Sequence, residues 1–78
     1  MNNPEMEIYY AVVNLIDWYV AQQKDRDSVE QILKTIESVT GISPAEVGEA
    51  NDCGLCATWG EVIDGFVELT EAGERVPV

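Results

Sequence analysis

The residues best suited to chemistry are Cys53 and Cys56, in the run Cys53-Gly54-Leu55-Cys56. Two thiols at this spacing can share one metal ion or close a small disulfide. A structural zinc site needs four ligands, and the chain has no histidine and no second cysteine pair. Zinc is therefore expected only if two copies each bring Cys53 and Cys56 together; otherwise no cofactor is expected. A thioredoxin-like role needs a strand before the pair and a long helix after it, and neither is evident here. The plain alternative is two small thiols in a turn. Without histidine, Cys-His and Ser-His catalytic arrangements are excluded. A carboxylate pair can be drawn anywhere in so acidic a chain, but no pocket-forming context singles one out. No glycine loop for phosphate is present; Gly54, Gly60, Gly65 and Gly73 read as turns and helix ends. No enzyme is expected.

Charge is the second feature. Four cations against 15 carboxylates give a net charge of −11. From Thr35 to Glu74 there are nine carboxylates and no lysine or arginine: Glu37, Glu46, Glu49, Asp52, Glu61, Asp64, Glu68, Glu71 and Glu74. Such a field repels nucleic acid and anionic membrane surfaces and favours a basic protein partner, or serves solubility alone. A salt-rich cytoplasm is a further source of such acidity. The candidate partner-binding residues are Glu46, Glu49, Asp52, Glu61, Asp64, Glu68, Glu71 and Glu74. Trp59 joins them as an anchor if it is exposed and belongs to the core if it is buried.

These residues need positioning elements. Seventy-eight residues make one small domain, with residues 1–3 expected to fray. Its core is modest for this size, so oligomerisation would help. A hydrophobic content of 46% suffices for a folded chain. Pro4, Glu5 and Glu7 suit a first helical turn, opening a helix from about residue 5 to 23. Its polar stripe is only Glu7, Tyr10, Asn14, Asp17 and Ala21. A helix this apolar is either the central one or a homodimer seam. Lys24 to Asp27 reads as a linker. A second helix follows, capped by Asp27 with Glu30 or by Ser28 with Gln31. Its apolar face is Val29, Ile32, Leu33, Ile36 and Val39, with Glu30 and Lys34 at ion-pair spacing, and Gly41 ends it. Ser43, Pro44 and Glu46 give the third helix a cap, a first residue and a capping box, while Ile42 and Val47 form a staple. It ends near Asn51.

Residues 57–64 admit two readings. One is a fourth helix stopped by Gly65. The other is a strand entering a two-residue Asp64-Gly65 hairpin turn, which sets Glu61 opposite Glu68. The helix is preferred. Phe66 to Thr70 then reads as a strand, turned at Glu71-Ala72-Gly73, with Arg75 to Val78 pairing back. The expected class is mainly α with an α+β ending: three to four helices and a C-terminal β-hairpin.

Residues 43–76 resemble a winged helix-turn-helix. The similarity rests on Ser43-Pro44-Ala45-Glu46-Val47, on Ala57-Thr58 opening a second helix, and on the run from Asp64 to Val76 with its Leu69-Thr70-Glu71-Ala72-Gly73 turn. The resemblance implies a recognition helix exposing Thr58, Trp59, Glu61 and Asp64, and a wing exposing Glu71, Glu74 and Arg75. Phosphate contacts in such a fold come from basic and hydroxyl groups, for which only Thr58, Thr70 and Arg75 are on hand.

Three functions follow as expectations. The first is a non-enzymatic acidic module that occupies a basic protein surface, such as the phosphate groove of a nucleic-acid-processing complex. In size and charge the chain is similar to small phage-borne inhibitors of CRISPR or restriction systems. The second is a winged-helix transcription regulator, dimeric through the first helix and drawing on Lys24, Arg26 and Lys34. The third is a zinc or redox module on Cys53 and Cys56. No leader is evident, and the apolar run from Ile8 to Val20 is too short to span a membrane. A cytoplasmic location, in the producing or an infected cell, is expected.

Overall fold

A computed structural model describes residues 4–76. The expected fraying of residues 1–3, and any pairing by Pro77 and Val78, lie outside the described residues.

Four helices follow in order: α1 (Pro4–Gln22), α2 (Arg26–Thr40), α3 (Pro44–Ala50) and α4 (Trp59–Glu71). No strand occurs among the described residues. The α+β class, the hairpin and the wing are thereby corrected to an all-α fold. α1 and α3 start where their local signals place them, although only the Ser43 half of the expected α3 capping box forms. Pro4 opens α1 with Glu5 and Glu7 in its first turn. Ser43 caps α3, accepting a bond from the Glu46 N–H at 3.2 Å, and Pro44 is its first residue. Ile42 and Val47 are both buried, as a staple requires. The entry to α2 departs from expectation. Arg26 already belongs to the helix, and Asp25 precedes it at φ 55° with no side-chain cap bond. Aspartate tolerates this left-handed geometry better than most residues, so neither Asp27 nor Ser28 acts as the cap. Glu30 likewise faces back to Arg26 at 3.9 Å rather than forward to Lys34.

The largest departure is α4. It does not stop at Gly65 but runs on through Phe66, Val67 and Thr70 to Glu71. A Cβ on Gly65 would lie 2.8 Å from the Cys53 Cβ and 2.9 Å from its Sγ. The glycine is thus the gap that lets the cysteine loop lie against the helix, not a helix stop. The strand-like residues after it complete an amphipathic helix: Trp59, Val62, Ile63 and Phe66 are buried on one side. The apparent wing turn is the C-terminal cap of α4. Gly73, at φ 76°, donates to Thr70 O at 3.1 Å, and Glu74 N–H reaches Leu69 O at 2.9 Å. This pair of bonds is a Schellman motif.

α4 is also the central element, packed on α1, α2 and α3. The core joins Val12, Val13, Ile16 and Val20 of α1 to Val29 and Leu33 of α2, Val47 of α3 and the buried side of α4. Two details of the apolar patterning shift. Trp18 of α1 is 46% exposed, and Ile32 and Val39 of α2 also face solvent, so the buried face of α2 is narrower than its apolar spacing suggests. No helix among the described residues is long and apolar enough to cross a membrane.

Candidate functional site

The unbroken α4 decides how the acids are displayed. Its exposed positions are Glu61, Asp64, Glu68 and Glu71. Steps of three, four and three residues place all four within an arc of about 80°, over ~15 Å of helix. Successive carboxylates are neighbours on the helix surface. The core residues Trp59, Val62, Ile63 and Phe66 occupy the other side, so burial of that side forces the acids outward.

The four are not equivalent. The Glu61 carboxylate accepts from the backbone N–H of Ala57 at 2.9 Å and of Thr58 at 3.1 Å. The Thr58 hydroxyl accepts from Glu61 N–H in return, a full capping box. Asp64 meets Arg26 at 2.9 Å, yet its side chain stays 62% exposed. Arg26 also donates to Gly60 O at 3.1 Å, and the bond to Asp64 holds its guanidinium pKa above the ordinary value. Glu68 and Glu71 have no ion pair among the described residues. Glu46 and Glu49 on α3, Asp52 after it, and Glu74 beyond α4 are exposed as well. Glu46 borders an open groove of about 500 Å³ floored by Met6, Ile8, Tyr9 and Ile42. Asp52 and Glu74 border a second, of about 560 Å³, beside Asn51 and Arg75.

Trp59 is not a surface anchor. It is 2% exposed, and its indole N–H donates to Glu37 Oε1 at 3.0 Å. That bond satisfies the one polar atom that α4 carries into the core at this position.

The groups that a winged helix would turn toward phosphates are engaged elsewhere or buried. The Thr58 hydroxyl caps α4. The Thr70 hydroxyl is buried without a partner. Arg75 is drawn inward: its Nε and Nη2 donate to the two Asp17 oxygens at 3.2 and 3.0 Å, its Nη1 donates to Asn51 Oδ1 at 3.1 Å, and its guanidinium lies 4.1 Å from the Phe66 ring centre. Asn51 then donates to the Tyr9 hydroxyl at 2.9 Å and to Val47 O at 2.8 Å. Asp17 is 0% exposed. This network ties α1, the end of α3 and the segment after α4 together. It was missed in the sequence, where Asp17 reads as part of a solvent stripe. The available signal was an aspartate on an otherwise apolar helix and a single cation after Lys34.

Both cysteines are free thiols; Cys56 is buried and Cys53 half-buried. Cys53 packs on Gly65 of α4, and Cys56 on Gly48 of α3, where an added Cβ would lie 2.7 Å from its Sγ. The loop is a wedge between two helices. Burial pushes both thiols up from the ordinary value; for Cys53 the charge of a Cys56 thiolate adds to this, and for Cys56 that of Glu61. Protonated thiols are poor nucleophiles and poor metal ligands. Among the described residues no three of His, Cys, Asp or Glu converge as a metal site.

No family model, curated protein or solved structure matches this chain.

Proposed function

We propose that this chain is a non-enzymatic, acidic protein-binding module that occupies a basic surface on another protein. The observation that carries this reading is the continuous α4, whose every exposed position is a carboxylate: Glu61, Asp64, Glu68 and Glu71. Glu46, Glu49, Asp52 and Glu74 extend the same sign onto neighbouring segments. Four carboxylates over ~15 Å give roughly one carboxylate per 5 Å, of which Asp64 alone is paired with a cation, Arg26, among the described residues. One DNA strand carries one negative charge per about 3.4 Å. The densities are of the same order, so a protein groove built for phosphates is the partner of matching chemistry. The module would then act as a competitive inhibitor of a nucleic-acid-processing protein, in the manner of phage-type inhibitors of CRISPR or restriction systems.

The inward pairing of Arg75, the use of the Thr58 hydroxyl as the α4 cap and the burial of the Thr70 hydroxyl argue for a protein rather than DNA as the target. Capture from a host lysate at low salt, followed by washes of rising salt, tests the proposal. The expected result is a basic nucleic-acid-binding protein that elutes as salt screens the attraction. Retention of DNA alone, or of no basic protein, overturns it.

A further inference from the structure

The outward face of α1 differs in kind from that of α4. Between Tyr10 and Gln22 its exposed positions are Tyr10, Ala11, Asn14, Trp18, Ala21 and Gln22, and none is charged. Trp18 is 46% exposed and Tyr10 55%. On a chain of net charge −11, an uncharged strip with two large aromatics and two alanines is the place where a second copy can approach without setting carboxylate against carboxylate. Tyrosine and tryptophan are also the side chains that most often carry interface energy.

The spacing fits this occupant. Among the outward residues, which also include Ala11 and Gln22, the line Glu7, Tyr10, Asn14, Trp18 and Ala21 runs in steps of three, four, four and three positions, the same order read from either end. An antiparallel copy with Asn14 on the two-fold axis sets Tyr10 of each chain beside Trp18 of the other. It sets Glu7 beside Ala21, so the one charge near the strip meets a methyl group rather than its own duplicate. Asn14 meets itself, and a carboxamide carries both a donor and an acceptor for that pairing. A two-fold contact must be self-complementary in this sense, and a single asparagine at a seam fixes register.

We propose that this chain forms an antiparallel two-fold dimer through the outward face of α1, with Asn14 on the axis and Tyr10 packed on Trp18 of the second copy. One helix seam covers less than the ~800 Å² per partner of a standard interface, so the dimer is a weak, concentration-dependent one. Each copy is strongly negative, so added salt tightens the dimer by screening their repulsion. That sign is opposite to the one expected for capture of a basic partner by α4, and the two proposals fail separately.

The test is sedimentation equilibrium of the full chain from about 10 µM to about 1 mM, at low and at high salt. The expected result is a monomer–dimer equilibrium that strengthens with salt and is weakened at least tenfold by Trp18→Glu. Because Trp18 is about half exposed, that variant is expected to keep the helical circular dichroism of the monomer. Asn14→Cys under mild oxidation joins two chains at position 14. A mixture of Tyr10→Cys and Trp18→Cys gives the mixed disulfide in preference to either self-linked product. A monomer throughout the range at high salt overturns the proposal, as does a dimer indifferent to Trp18→Glu or one without cross-linking at position 14.

Discussion

Asp17 and the carboxylates of α4 carry the same charge and meet opposite fates. Asp17 is buried, held bidentately by Arg75 and tied through Asn51 to Tyr9. Glu68 and Glu71 stand in solvent with no cation beside them among the described residues. A buried carboxylate is tolerated only where a cation and hydrogen bonds replace its water. An exposed one needs nothing, and for that reason contributes little to the fold. The inner charge serves the architecture, and Glu68 and Glu71 are free to serve a partner. Arg75, the one cation in the acidic C-terminal half, is spent on the inside, which leaves Arg26 beside Asp64 as the cation paired with the outer stripe among the described residues.

The sharpest way to break this contrast is at Arg75. Arg75→Ala leaves Asp17 buried and unpaired and is expected to cost about 3–5 kcal/mol. Urea unfolding should show loss of most or all of the cooperative transition. A cost below about 1 kcal/mol would mean that the inner pair resembles a surface pair. Next in size is the packing that makes the outer stripe continuous. In an ordinary helix Gly→Ala gains about 1 kcal/mol. Gly65→Ala should instead lose roughly 1–3 kcal/mol, because the new methyl meets Cys53. Cys53→Gly in the same chain should recover part of the loss, and a double-mutant cycle with no coupling would contradict the wedge.

Smaller effects separate members of the stripe. Glu61 accepts two backbone bonds, so Glu61→Ala should cost about 0.5–1 kcal/mol. Glu68→Ala and Glu71→Ala should stay within about 0.5 kcal/mol of wild type. Chemical denaturation of the three variants side by side checks the order. The thiols give the mildest effect. Burial raises both of their folded pKa values. Their contribution is therefore whole below the range where an unfolded thiol ionises, around pH 8.5, and is lost as pH rises through the folded values. Thermal midpoints of wild type should fall above that pH more steeply than those of Cys53→Ser/Cys56→Ser. A parallel decline would remove the thiols from the account.

The sequence makes α1, α2 and α3 visible because the Pro4 start, the Gly41 stop and the Ser43 cap are local, whereas the entry to α2 at Asp25 is not marked by a side-chain cap. Ser43, Pro44 and Val47 act on one another within a single turn. The course of α4 is not local. Gly65 and the run Phe66-Val67 favour a strand on short-range grounds, and only the approach of Cys53, brought from the preceding loop, shows why a glycine belongs inside the helix. The Asp17–Arg75 pair spans 58 residues and leaves no periodic trace. The acids of the candidate site were all named from composition. Their alignment on one face was not, because it depends on the helix continuing past Gly65.

The most direct test of the central claim is the affinity of the captured basic partner for wild type and for Asp64→Lys/Glu68→Lys/Glu71→Lys, measured with and without duplex DNA as competitor. The account predicts at least a hundredfold loss in the reversed variant, about 2.7 kcal/mol, and displacement of the wild-type chain by DNA. Unchanged affinity in the reversed variant, or binding indifferent to DNA, would contradict it.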